Sequence, residues 1–148
     1  MNESHLIWAY WKKEQRVFDT NLALLKKKFN TDAVHDLRVA VKKLTACLRL
    51  YFAIKGETTD DHFLQKTVEL FDHLGKYRDI EVCLALITTY EKEAGLYYTD
   101  WKNQLKQMLK AIRGRANQEV HQYHKKELAR IALLLKEDNI PAGDQFIN

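Results

Sequence analysis

The residues with the plainest chemical potential lie between His35 and Arg49, in the run HDLRVAVKKLTACLR. At 3.6 residues per turn, His35, Arg38, Lys42 and Arg49 fall in one narrow stripe of a helix. Donors on successive turns, about 5.4 Å apart, form a ladder suited to an extended anion. Arginine donates bidentately to phosphate oxygens, and lysine acts as a point charge. Polar helix faces usually mix signs, because i,i+4 acid–base pairs stabilise them. This stripe holds no acid, and over residues 35–55 only Asp36 opposes Arg38, Lys42, Lys43, Arg49 and Lys55. Such imbalance predicts an anionic partner; the plain alternative is a solvated basic face. Lys43 stands about 100° from the stripe. His35, at the start of the helix, either donates to an anion when protonated or packs and caps.

Further candidates lie outside this run. Lys102, Lys106, Lys110 and Arg113, spaced four, four and three, make a second basic stripe, read as a second wall of the groove or as an exposed lysine face. Arg78 either reaches the same groove or pairs with an acid. Asp32 with His35, His121 with His124, and Glu69 with His73 have helical spacing, but the two Glu-x-x-His elements of a di-metal bundle are missing, so no metal site is expected. Cys47 and Cys83 form no CxxC motif and neither has a neighbouring histidine; both are read as buried structural thiols in a reducing cytoplasm. No serine nucleophile motif appears and nothing calls for a cofactor, so the expectation is a binding protein rather than an enzyme. Nucleic acid is the closest competing partner, since its backbone offers the same phosphate charge. No groove-entering motif is evident, however, and Trp8, Trp11 and Trp101 fall mostly on faces that read as buried.

Positioning these groups requires helices. The 148 residues suffice for one domain with a sizeable core. The formal net charge of +4 hides segregation: residues 57–100 carry ten acids and four bases, and residues 101–130 eight bases and two acids. Apolar periodicity predicts helices over about 4–28, 32–54, 59–74, 79–94 and 99–136, with 137–148 as a loose tail or linker. Asn30 and Thr31 offer an N-cap, Thr58 with Asp61 a capping-box-like start. Gly56, Gly75, Gly95 and Gly143 read as helix stops, Gly114 as a bend. No alternating β-branched run suggests a strand, and no apolar run approaches the roughly 20 residues of a membrane span. The fold class is all-α: an antiparallel four-helix up-down bundle with a long fifth helix. The apolar second half of that fifth helix (Leu128, Ile131, Leu134, Leu135) exceeds what four helices cover, which points to a homodimer or a missing second half-domain.

Two elements together resemble the conserved histidine α-helical domain, or CHAD, family. The first is His35-Asp36-Leu37-Arg38-Val39-Ala40-Val41-Lys42-Lys43-Leu44, a histidine followed by an arginine–valine pair, two basic residues and a leucine. The second is Leu74-Gly75-Lys76-Tyr77-Arg78-Asp79. The resemblance is strongest over about residues 5–95. It implies a bundle of long helices that binds inorganic polyphosphate in a basic groove without catalysis, with His35, Arg38, Lys42, Lys43, Arg49 and Arg78 as the binding residues. Family members usually have two such halves, and only one histidine-led basic helix is present here. The family's paired arginines are Lys42 and Lys43 in this chain, and its next basic position is Thr45.

Overall fold

The turn after residue 27 shows how local chemistry sets the helices. In a computed structural model describing residues 3–57 and 61–138, α1 spans Glu3–Lys27 and α2 spans Thr31–Ile54. Asn30 between them is extended, and its side chain accepts the Ala33 N–H at 2.8 Å, satisfying one of the four unpaired donors at the start of α2. Gly56 takes positive φ just past α2. A 3₁₀ turn, Asp61–Leu64, leads into α3, Gln65–Ala94. Gly95, at φ 66°, ends α3 and donates to the Glu91 carbonyl at 2.9 Å. Then follow α4, Thr99–Gln122, and α5, Lys126–Glu137. No strand occurs among the described residues, and the protein is all-α.

α1 and α2 pack antiparallel, with the Cys47 thiol donating to the Ile7 carbonyl and Lys43 facing Glu14. α3 returns antiparallel to α2. Phe52 meets Phe63, Arg38 meets Phe71 and Gly75, and the Thr31 hydroxyl donates to Glu81 at 2.6 Å. α4 packs on α3 and α1. The core joins Trp11, Phe18 and Leu22 of α1, Leu37 and Leu44 of α2, Leu70 and Leu74 of α3, and Leu128 and Ile131 of α5. Burying each such leucine contributes about 1.5–3 kcal/mol.

The helix boundaries depart from the expected ones in two places. The expected helices over 59–74 and 79–94 are one helix, α3, which passes through Gly75-Lys76-Tyr77-Arg78 without a break. Gly75 is buried and does not take positive φ, so it is no stop. Conversely, the expected helix over 99–136 is two. Gly114 lies inside an unbroken α4, and the chain turns instead at Tyr123, where no glycine or proline signals it. The Tyr123 ring packs on Phe18 and its hydroxyl shares a 2.7 Å hydrogen bond with Thr67 Oγ1. Burial pushes that hydroxyl's pKa up to about 12. Tertiary packing thus overrides local helix propensity. The turn folds α5 back on α1, so Leu128, Ile131 and Leu135 are buried within this chain and Leu134 is partly buried. The free apolar face that motivated a homodimer is therefore absent. Exposed apolar residues lie elsewhere: beyond Glu81, α3 buries only Glu91 and exposes Val82, Leu86 and Tyr90. Thr58 of the expected capping box and residues 139–148 of the expected tail lie outside the described residues. Asp138 accepts from the Tyr51 hydroxyl and from Lys55.

Neither α3 nor α4 has a capping side chain at its own N-cap position. Carboxylates from elsewhere cap them. Glu127 of α5, buried, accepts from the backbone N–H groups of Lys66 (2.8 Å) and Thr67 (2.9 Å) and from Thr67 Oγ1 (3.0 Å). Glu91 accepts from the Tyr98 N–H (2.9 Å) and Lys102 (2.8 Å). The Lys102 hydrogen bond, with that of Tyr98, holds the Glu91 carboxyl below the ordinary carboxylate range. Negative charge at a helix start is also favoured by the helix dipole.

Cys47 is buried, and burial pushes its thiol up to about 11. Cys83 is exposed, against expectation, because the part of α3 that carries it stands clear of the core. An aromatic disulfide reagent should therefore label one thiol quickly in the native protein and the second only on unfolding; two fast thiols would contradict this packing. Glu127→Ala removes a charged cap from α3 and should cost about 2–3 kcal/mol in urea unfolding. A variant as stable as the wild type would show that α3 does not depend on that cap.

Candidate anion-binding groove

α2 presents its core through Leu37, Val41, Leu44 and Leu48, all buried. That orientation leaves His35, Lys42 and Arg49 exposed to solvent. None of the three forms an ion pair with a described residue. The stripe from His35 to Arg49 extends about 21 Å along the helix.

Arg38 differs from the other members. Its side chain lies in the α2–α3 seam, with the guanidinium carbon 4.5 Å from the centre of the Phe71 ring. A Cβ on Gly75 would come within 3.1 Å of Arg38 Nη2. Gly75 thus has a packing role in mid-helix: it leaves room for a guanidinium. The ring contact contributes on the order of 1–2 kcal/mol at a partly desolvated site. Among the described residues, Arg38 Nε is buried without a hydrogen-bond partner and no carboxylate forms an ion pair with the side chain. A buried guanidinium nitrogen without a partner among the described residues calls for an explanation, and a charge-assisted hydrogen bond to an anion is one that guanidinium chemistry can supply.

Arg78 stands one turn beyond Gly75 on α3, half-buried, with Nη1 3.7 Å from Glu81 Oε1. Glu81 itself is tied to Thr31. The structure thus brings Arg78 to the seam where Arg38 lies and gives it a loose acidic partner as well. Lys43 turns away from this seam toward α1, 3.7 Å from the buried Glu14.

The α4 stripe is dispersed. Lys102 is held by Glu91 at the far end of α3. Arg113 Nη2 donates to the Phe29 carbonyl at 3.3 Å, and its guanidinium lies over the Phe29 ring. Lys110 and Arg113 face Lys26, Lys27 and Lys28 at the end of α1. Arg113 thereby stands at the Phe29–Asn30 turn that leads into α2, but none of these contacts among the described residues reaches the stripe from His35 to Arg49. Lys106 is exposed. Trp11 is buried and Trp8 partly so, but Trp101 is exposed, stacked on Tyr98 near the α3–α4 turn.

Among the described residues, no group of three or more histidine, cysteine, aspartate or glutamate side chains lies together as metal ligands would. None of their helices is long and apolar enough to cross a membrane. Sequence reasoning placed the α2 ladder but missed Phe71 and Gly75 as the seat of Arg38. The available signal was a glycine within a helical apolar pattern.

Comparison with curated proteins and with solved structures gave no match for the chain. The model of the CHAD domain family matches residues 9–144, nearly the whole length and both of the motifs that meet at Arg38 and Gly75. The chain belongs to the CHAD domain family.

Proposed function

We propose that the protein binds inorganic polyphosphate, without acting on it, along the basic face of α2 where it meets α3. The observation that carries this reading is Arg38: a guanidinium seated between two helices, with a buried donor that no described side chain or carbonyl satisfies. His35, Lys42 and Arg49 extend the donors on either side, and Arg78 adds to them from α3. Family membership supports the same ligand class. Binding would draw on counterion release and on charge-assisted hydrogen bonds to phosphate oxygens. The reading asks these cations only to hold a phosphate chain. It places the protein in the cytoplasm, in keeping with two free cysteines.

Single-stranded nucleic acid is the second reading, favoured by the exposure of Trp101 and Tyr97, on which bases could stack. Those rings lie near the α3–α4 turn and not on α2.

Calorimetric titration with long-chain polyphosphate at two salt concentrations tests the proposal. Saturable binding that weakens steeply with salt is expected. Arg38→Ala/Lys42→Ala/Arg49→Ala should lower affinity at least about a hundredfold, or ~2.7 kcal/mol. Equal binding by both proteins would remove the α2 face as the site. Displacement of polyphosphate by equimolar single-stranded DNA would favour the nucleic-acid reading.

A further inference from the structure

Past Glu81, where the Thr31 hydroxyl marks the start of α2, α3 runs on for about three and a half turns with α4 alongside it. Two helices share only one seam. Here it holds Leu84 and Ile87, half-buried, and closes with the pair of Glu91 and Lys102. A second apolar stripe stays outside it. Val82, Leu86 and Tyr90 recur every four residues on α3, and Trp101 and Met108 lie two turns apart on α4. All five are exposed, Leu86 and Trp101 to 63 %. Tyr98 joins the two rows: its ring lies 6.1 Å from that of Tyr90 and 5.6 Å from that of Trp101, which brings both rows to one side of the hairpin. Residues 82–90 carry no charge. A helix buries its apolar stripe against another element, and monomers rarely expose an apolar patch of this extent.

Residues 139–148 do not reach this face. They span at most about 35 Å, and they follow Asp138, which binds Tyr51 and Lys55 near the far end of α2. Tyr90 stands roughly 43 Å from there along the helix axes. A lipid surface favours cations around an apolar face, whereas here Lys102 turns into the seam and Lys110 toward the end of α1. A second copy offers the matching surface, uncharged, apolar and of the same size. Face to face, two hairpins make the four-helix layer that neither makes alone. The face is about 20 Å long and two helices wide, so apposed copies bury on the order of 1,000 Å², where specific contacts begin.

We infer that the exposed face of the α3–α4 hairpin is a self-association surface, through which two copies of this chain pair about a two-fold axis. No residue of the face belongs to the α2 ladder, so the inference stands apart from the polyphosphate reading.

Sedimentation velocity on the full chain, without polyphosphate, tests it over about 1–300 µM. The wild type should pass from monomer to dimer. Leu86→Glu and Met108→Glu each place a charge in the face and should weaken dimerisation at least about a hundredfold. Both positions are exposed in the single chain, so both variants should keep the helical circular dichroism of the wild type. Leu50→Glu, in the separate apolar groove between α1 and α2, should dimerise as the wild type does. A wild type that stays monomeric throughout overturns the inference, and co-sedimentation of that monomer with phosphatidylcholine vesicles would assign the face to lipid instead. Dimers that survive both hairpin substitutions, or that only Leu50→Glu disrupts, overturn it as well.

Discussion

The Arg38 guanidinium lying on Gly75 and Phe71 is the contact on which the seam between α2 and α3 depends. A glycine inside a helix costs roughly 1 kcal/mol relative to alanine. Here the missing Cβ lets α3 approach a charged side chain of α2 without displacing it. The two motifs that mark the family, one led by His35 and one by Leu74-Gly75, are therefore two sides of a single contact. The first supplies the cation and the second the space for it. Arginine suits this position because its planar head can lie on a ring and still offer donors at its edge.

That contact rests in turn on where α3 begins. The buried Tyr123 turns the chain between α4 and α5 and joins Thr67 through its hydroxyl. α5 then delivers Glu127 to the first N–H groups of α3. With that end held, and Thr31 fastened to Glu81 further along, Gly75 comes level with Arg38. α5, the last helix among the described residues, thus helps to set the register of a seam formed by two earlier ones. Glu91 repeats the device at the start of α4.

Much of this was legible in the sequence, and the failures share a cause. The buried face of α2, the Asn30 cap and the stripe from His35 to Arg49 follow from periodicity and capping chemistry, which are local. Gly75 was misread as a stop because a lone glycine looks the same whether it ends a helix or admits a distant side chain. The meaning of Gly75 lies with Arg38, 37 positions earlier in the chain. The break at Tyr123 was invisible because burial against Phe18 and Thr67, not glycine or proline, turns the chain there. The α4 stripe had the right charge but an unreadable destination, since the neighbours of Lys110 and Arg113 are set by the end of α1.

The most direct measurement is polyphosphate affinity across the series Gly75→Ala and Gly75→Leu, with unfolding free energy determined in parallel. The side chain that must give way is the flexible end of Arg38, so both variants should fold. Affinity should fall in that order, by about tenfold or more for leucine. Folded variants that bind polyphosphate as tightly as the wild type would contradict the seated arginine as the centre of the site.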